Sequence, residues 1–426
     1  MDPLLATVEA PGRVGGRRLP PWLAIALVIA IGVNIRGIFG AVPPLVPDIR
    51  ADLDVSATTA SLLTALTLLT MGLCAPLGHV LVTRIGADWA MISLLAVLAL
   101  AELSRFLIDT PAPLVATAAV IGGALGALST LTPGFISHHL PHLRGLATGI
   151  YSTAMALGVA LAAGTAQPVA ASFGGWRTAL AVWGVVALLL AAALVLTHLG
   201  GAGVPDEAGV PTRLSLPLRE RRAWFVTAVF AVPMFLGFSV IAWLPSLFVE
   251  AGLSAGTAAA YLVAFQCVQL FSMLTLTPLT DRFPGRRGVF ATVMVTSTLG
   301  LLLLVLEPHD WAVPGLLLAG FGIGGASSLA LVKVQDEAHS PQDATRLSGM
   351  AMLFSFTGGA IGPFLVGTLK DTTGSYVPGF AVCLGVSTLS LLLLVRMAPA
   401  RPRPAPVDPH EFPADNRPGP GSPART

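Results

Sequence analysis

The chain has 426 residues, 54% of them hydrophobic and 11% charged, with 24 Lys and Arg against 22 Asp and Glu for a formal net charge of +2. A soluble domain carries roughly 25% charge, so this composition excludes a water-soluble globular protein, and the small net charge gives no sign of a nucleic-acid partner. The apolar runs are continuous and not alternating, which argues against a transmembrane barrel and for an all-α integral membrane protein, because backbone in lipid must satisfy its own hydrogen bonds.

In chain order, residues 1–20 read as an N-terminal segment bearing Arg13, Arg17 and Arg18. The first apolar run lacks a small-residue cleavage site and continues past twenty residues, so it reads as a retained span, not a signal. It covers 22–46 and holds Asn34 and Arg36 near its middle. Further spans are predicted near 56–82, 88–107, 113–137, 145–170 and 177–197, completing a six-helix bundle over 21–197. A polar linker follows at 198–223. The second bundle, 224–397, has spans near 224–249, 256–280, 288–306, 312–335, 346–369 and 376–397. The Pro-rich stretch 398–426 reads as a disordered tail. Cys74, Cys267 and Cys383 lie in apolar runs and form neither a disulfide framework nor a metal-ligand spacing.

The halves echo each other. Gly149, Gly158, Gly174 and Trp176 recur 200 residues on as Gly349, Gly358, Gly374 and Tyr376. "VSATTA" at 55–60 recurs as "LSAGTA" at 253–258, and Trp22 and Pro43 recur 202 residues on as Trp224 and Pro245. Two parallel repeats with a site between them is a transporter architecture. With both termini inside, the inner segments hold 18 of the 24 cations and the outer loops four: Arg50, Arg105, Arg177 and Lys370. That bias places both ends in the cytoplasm, with the chain in the cytoplasmic membrane.

After the eighth span stands "TPLTDRFPGRRGVF", with Asp281, Arg282, Arg286 and Arg287. An acid at a helix end beside a glycine turn and arginines can latch two helices at the inner face; simple charge anchoring is the alternative. The matching turn after the second span keeps Gly78, Arg84 and Gly86 but has Val82 where the acid would sit. On these motifs the chain resembles the major facilitator superfamily over residues 20–397. Asn34-Ile35-Arg36-Gly37 followed by Val42-Pro43-Pro44-Leu45, "RGLATGIYSTAMALGVALA" at 144–162 and "AWLPSLFVEAGLS" at 242–254 are similar to its cyanate/2-nitroimidazole permease branch. That branch has proline where this chain has Gly37. The resemblance implies two pseudo-repeated bundles of six helices each and transport of small planar or carboxylate-like solutes; the sequence shows no nucleophile–base pair or metal cluster, so no enzymatic activity is expected.

Arg36 lies about 21 Å along its helix, too deep to reach either interface easily. A central Arg costs roughly 2.5–3.5 kcal/mol, and its guanidinium does not deprotonate. No acid falls in the middle of a predicted span, so carbonyls, water or a bound anion must complete it. Asn34 is about 200° around the helix from Arg36 and points either to the cavity or to a neighbouring helix. Gln266 and Gln269, Trp243 and Tyr151 are further candidate substrate contacts, with interhelical bonding and packing as their alternatives. The expected partners are a small-molecule substrate, the lipid bilayer and a coupling ion of unassigned identity; the chain is expected to be a monomer needing no cofactor or metal. The sequence has no phosphate-binding loop of the ATPase type. The reading is a secondary transporter of a small anionic or strongly polar solute working by alternating access. The alternatives are a drug efflux pump of the same fold and a non-transporting membrane sensor.

Overall fold

The computed structural model describes residues 19–199, 216–282, 286–337 and 341–392. Most of the predicted N-terminal segment, linker and tail lies outside the described residues. Those described form twelve α-helices: α1 Pro21–Leu53, α2 Ala57–Ile85, α3 Ala87–Ser104, α4 Pro111–His139, α5 Arg144–Phe173, α6 Trp176–Leu199, α7 Arg221–Glu250, α8 Ala255–Arg282, α9 Arg286–Leu306, α10 Ala312–Glu337, α11 Pro341–Thr373 and α12 Val377–Ser390. Eleven are long and apolar enough to cross a membrane, and α12 is a shorter apolar helix.

The sequence repeat is visible as repeated helix ends. Ser56 caps α2 by accepting from Thr59 N at 3.1 Å, and Ser254 caps α8 by accepting from Thr257 N at 3.1 Å. Each hydroxyl satisfies an orphan N–H of a first turn, which is why "VSATTA" and "LSAGTA" recur. Gly174 and Gly374 end α5 and α11 with φ of 97° and 78°, a left-handed region that favours glycine.

Packing repeats too. In the first half α1 packs on α5, α2 on α4 and α3 on α6; in the second α7 packs on α11, α8 on α10 and α9 on α12. The halves meet where α2 faces α11 and α5 faces α8, with α1 against α7 between them. Close approach of α1 and α5 depends on small residues, because lipid supplies no hydrophobic drive between helices. A Cβ at Gly40 would collide with the Val159 carbonyl, and one at Gly158 with the Val33 carbonyl.

The turns that close α1–α2, α3–α4, α5–α6, α7–α8 and α11–α12 share one end of the molecule. There Arg177 binds Asp52 at 2.6 Å, Asp109 at 2.9 Å and the Ile108 carbonyl at 3.0 Å. Glu250 holds Lys370, Ser375 Oγ and Tyr376 N. At the opposite end His198 meets Asp88 at 3.0 Å and Arg222 meets Asp343 at 3.0 Å.

One outer-loop assignment is corrected. Arg105 is not on a loop surface: it is fully buried in a 3₁₀ turn, and its Nε donates to Thr117 Oγ1 at 2.9 Å. Glu102, three residues earlier on α3, is also buried. Residues three apart on a helix share a face, so an acid and a base are buried together at the end of α3 and the turn after it, with no ion pair between them among the described residues. Their neighbours are apolar enough to hide them from hydropathy counting.

A candidate substrate site at the seam of the two halves

Gly32, Arg36 and Gly40 lie four residues apart and therefore on one face of α1. Gly32 abuts Tyr151 and Ala154 of α5, and Gly40 abuts Val159. Arg36 emerges between these contacts toward the other half. Its Cζ lies 5.6 Å from the ring centroid of Phe39 on its own helix and 5.6 Å from that of Phe238 on α7. The two rings are 5.3 Å apart. Arg36 is half-buried, not sealed. No carboxylate lies within 4.0 Å of it and no hydrogen bond to it is found among the described residues.

Magnitudes decide what this cation needs. A cation–π contact contributes about 0.5–1 kcal/mol when exposed and about 2 when desolvated. A mid-membrane Arg costs roughly 2.5–3.5 kcal/mol by insertion measurements and more by simulation. Two rings offset part of that cost and satisfy none of the five N–H donors. Water or an anion must take those donors.

Tyr151 reaches the same place. It is nearly buried, its hydroxyl lies beside Thr132 and Ser129 of α4, and it is close enough to feel the Arg36 charge. Gln269 of α8 lies close to Gly237, the neighbour of Phe238, with its Nε2 3.8 Å from a Cβ built there. Gln266, one turn away, is buried with Oε1 unpartnered. Arg36 and Tyr151 thus converge, with Gln269 at the edge.

Two candidates turn elsewhere. Asn34 is buried, and its Nδ2 donates to the Trp183 carbonyl of α6 at 3.2 Å. Trp243 is buried in the seam of α7 with α11, where Nε1 donates to the Pro363 carbonyl at 2.8 Å and the ring packs 5.0 Å from Tyr376. Both hold helices together. Phe39, Phe238, Ser129 and Thr132 frame the site.

Gly37 also has a physical account. A Cβ there would strike the Trp183 ring, 2.5 Å from Cε3. Gly37→Ala is therefore expected to cost about 1–3 kcal/mol by overpacking, and Trp183→Leu to recover most of it. Thermal unfolding of the purified single and double variants measures this. An equal loss in both backgrounds would show that the ring is not the obstacle.

The residues of the predicted inner-face motifs are less fully described. The side chains of Asp281, Arg282, Arg286 and Arg287 lie outside the described residues. Gly78 packs α2 onto Ala127 and Thr130 of α4. Arg84 is exposed at the end of α2 and forms no ion pair among the described residues. Asp88, one turn further on, meets His198 instead.

The Major Facilitator Superfamily profile matches residues 23–363 and 262–420. The chain is 32% identical over 360 residues to the uncharacterized transporter YycB of Bacillus subtilis, covering 83% of this chain and 88% of that one. It is 28% identical to the 2-nitroimidazole transporter of Escherichia coli, over 87% of this chain and 93% of that one. It is 26% identical to the cyanate transport protein CynX of Escherichia coli, over 88% and 97%. A crystal structure of a D-xylose–proton symporter superposes with a TM-score of 0.68 at 16% identity, covering 89% of this chain and 99% of that one. With its repeated six-helix halves and these matches over most of its length, the chain belongs to the major facilitator superfamily.

Proposed function

We propose that the protein carries a small anionic or strongly polar solute across the cytoplasmic membrane by alternating access, with Arg36 as the anchor for its negative group. The observation that carries this reading is a half-buried guanidinium at the meeting of the two halves, flanked by two rings and without a carboxylate partner among the described residues. Its planar fork of donors suits a carboxylate or another flat anion. Tyr151 and Gln269 supply further polar contacts, while Asn34 and Trp243 keep α1 and α7 in place. The names of the cyanate and 2-nitroimidazole relatives support small, flat solutes. The excess of Lys and Arg in the even-numbered connections supports cytoplasmic termini. Residues 21–197 and 224–397 act as the two rocking bodies.

Uptake into proteoliposomes tests the reading. Labelled cyanate, benzoate and a nitroimidazole are compared with neutral amides of matching shape. Anions are expected to enter and to compete with one another. Transport of the neutral amides alone would sink the anion-anchor reading, and outward pumping of amphipathic dyes would favour efflux in its place.

A further inference from the structure

Among the described residues, side-chain bonds fasten the seam between the halves on one side only. At the end bearing the α1–α2 turn, Asp371 near the close of α11 reaches across to the first turn of α2. Its Oδ1 accepts from Ala57 N at 2.8 Å and its Oδ2 from Thr58 N at 2.7 Å. Both donors are orphan amides of a helix start, and the carboxylate sits at the positive end of that helix. Gly367, one turn before Asp371, abuts Ala57 and Ser61, so the two helices touch closely at this level. Beside it Arg50 Nη1 of α1 donates to the Tyr376 hydroxyl at 3.0 Å. Behind Asp371, Lys370 and Tyr376 are tied to Glu250, so the clip is mounted on a braced plate of the second half.

The repeat supplies an internal control. The other seam pairs α5 with α8, where Gly164 meets Val263. The position equivalent to Asp371 at the 200-residue offset is Ala171, which has no charge to give. Ser254 caps α8 as Ser56 caps α2, but no acid from α5 joins it at position 171. At the opposite end of the molecule the inner part of α5 is open. Cβ atoms built at Gly145 and Gly149 meet nothing within 4 Å, and Thr148 and Ser152 are exposed.

We infer that Asp371 is a one-sided gate clip: its bonds to the α2 N-terminus hold the α1–α2 end closed, and this end opens only when α11 releases α2. The α5–α8 seam, with Ala171 in place of a carboxylate at this end, acts as the passive side. The clip is separate from the predicted motif after α8, which lies at the other end, and it requires no assumption about the cargo.

Site-directed labelling of the full chain in lipid nanodiscs tests this, with Cys74, Cys267 and Cys383 replaced by alanine. One reporter is Ser61→Cys, buried in the clipped seam; the other is Gly149→Cys at the open end. Asp371→Ala is expected to raise the maleimide labelling rate at position 61 by about tenfold, as for loss of charge-assisted hydrogen bonds, and to slow labelling at position 149. Asp371→Asn keeps one acceptor oxygen without the charge and is expected to fall between. An unchanged rate at position 61 would overturn the inference. So would a rise at both reporters together, which is the mark of general loosening. Neither reporter needs a substrate, so failure here leaves the anion reading untouched, and failure of the uptake assay leaves the clip untouched.

Discussion

Arg36→Ala is expected to reduce anion uptake by about a hundredfold or more while leaving the protein folded. A hydrogen bond to a charged group contributes roughly 1.5–3 kcal/mol, and a fork of two such bonds to one anion exceeds the 2.8 kcal/mol or so that corresponds to a hundredfold. Stability should not fall, because the guanidinium makes no hydrogen bond to the protein among the described residues and removal of a mid-membrane charge relieves a cost. Arg36→Lys should retain part of the activity: it keeps the charge but loses the planar fork. Initial rates in proteoliposomes, with thermal unfolding measured on the same preparations, separate the two effects. Normal anion uptake by a well-folded Arg36→Ala protein would remove Arg36 from the site.

Gly40→Leu should act in the opposite way, on folding first. A Cβ at Gly40 would collide with backbone at Val159. Backbone cannot swing aside as a side-chain tip can, so α1 and α5 must separate along their whole crossing. The expected cost is about 3 kcal/mol or more, at the upper end of overpacking, and Arg36 would be displaced with its helix. Gly134→Leu is the matched control, since a Cβ there meets nothing within 4 Å. Yield and melting temperature should fall sharply for the first variant and hardly for the second. Similar behaviour of the two would mean that the α1–α5 contact is not decisive.

Much of the fold is legible in composition and spacing. Continuous apolar runs of about twenty residues admit one structure in lipid, and each predicted span contains a helix. Several helices extend beyond the predicted boundaries because hydropathy stops at the first polar residues, whereas α1 continues through Asp48, Arg50 and Asp52 to Leu53; α3 and α12 instead end short of theirs, at Ser104 and Ser390. Side-chain direction is less legible. Periodicity separates Asn34 from Arg36 around α1, but only packing shows that Asn34 turns to Trp183. Trp243 reads as a possible cavity wall because an aromatic in a span carries no label for the helix it faces. Arg105 reads as an outer-loop charge for a related reason: its burial, with that of Glu102, depends on packing against α4 and α6. One useful signal is present and goes unread. The 202-residue offset that pairs Trp22 with Trp224 also pairs Arg36 with Phe238, and these two residues face each other across the seam.

The contact of Arg36 with two rings, and with no carboxylate among the described residues, bears on turnover. When the halves close over an empty site they must enclose an uncompensated cation, while closing over an anion encloses a neutral pair. With Arg36 as the proposed anion anchor, the return of the unloaded carrier is expected to be the slow half of the cycle. Counterflow of labelled against unlabelled anion should outrun net flux, and the protein's kinetic preference would be exchange.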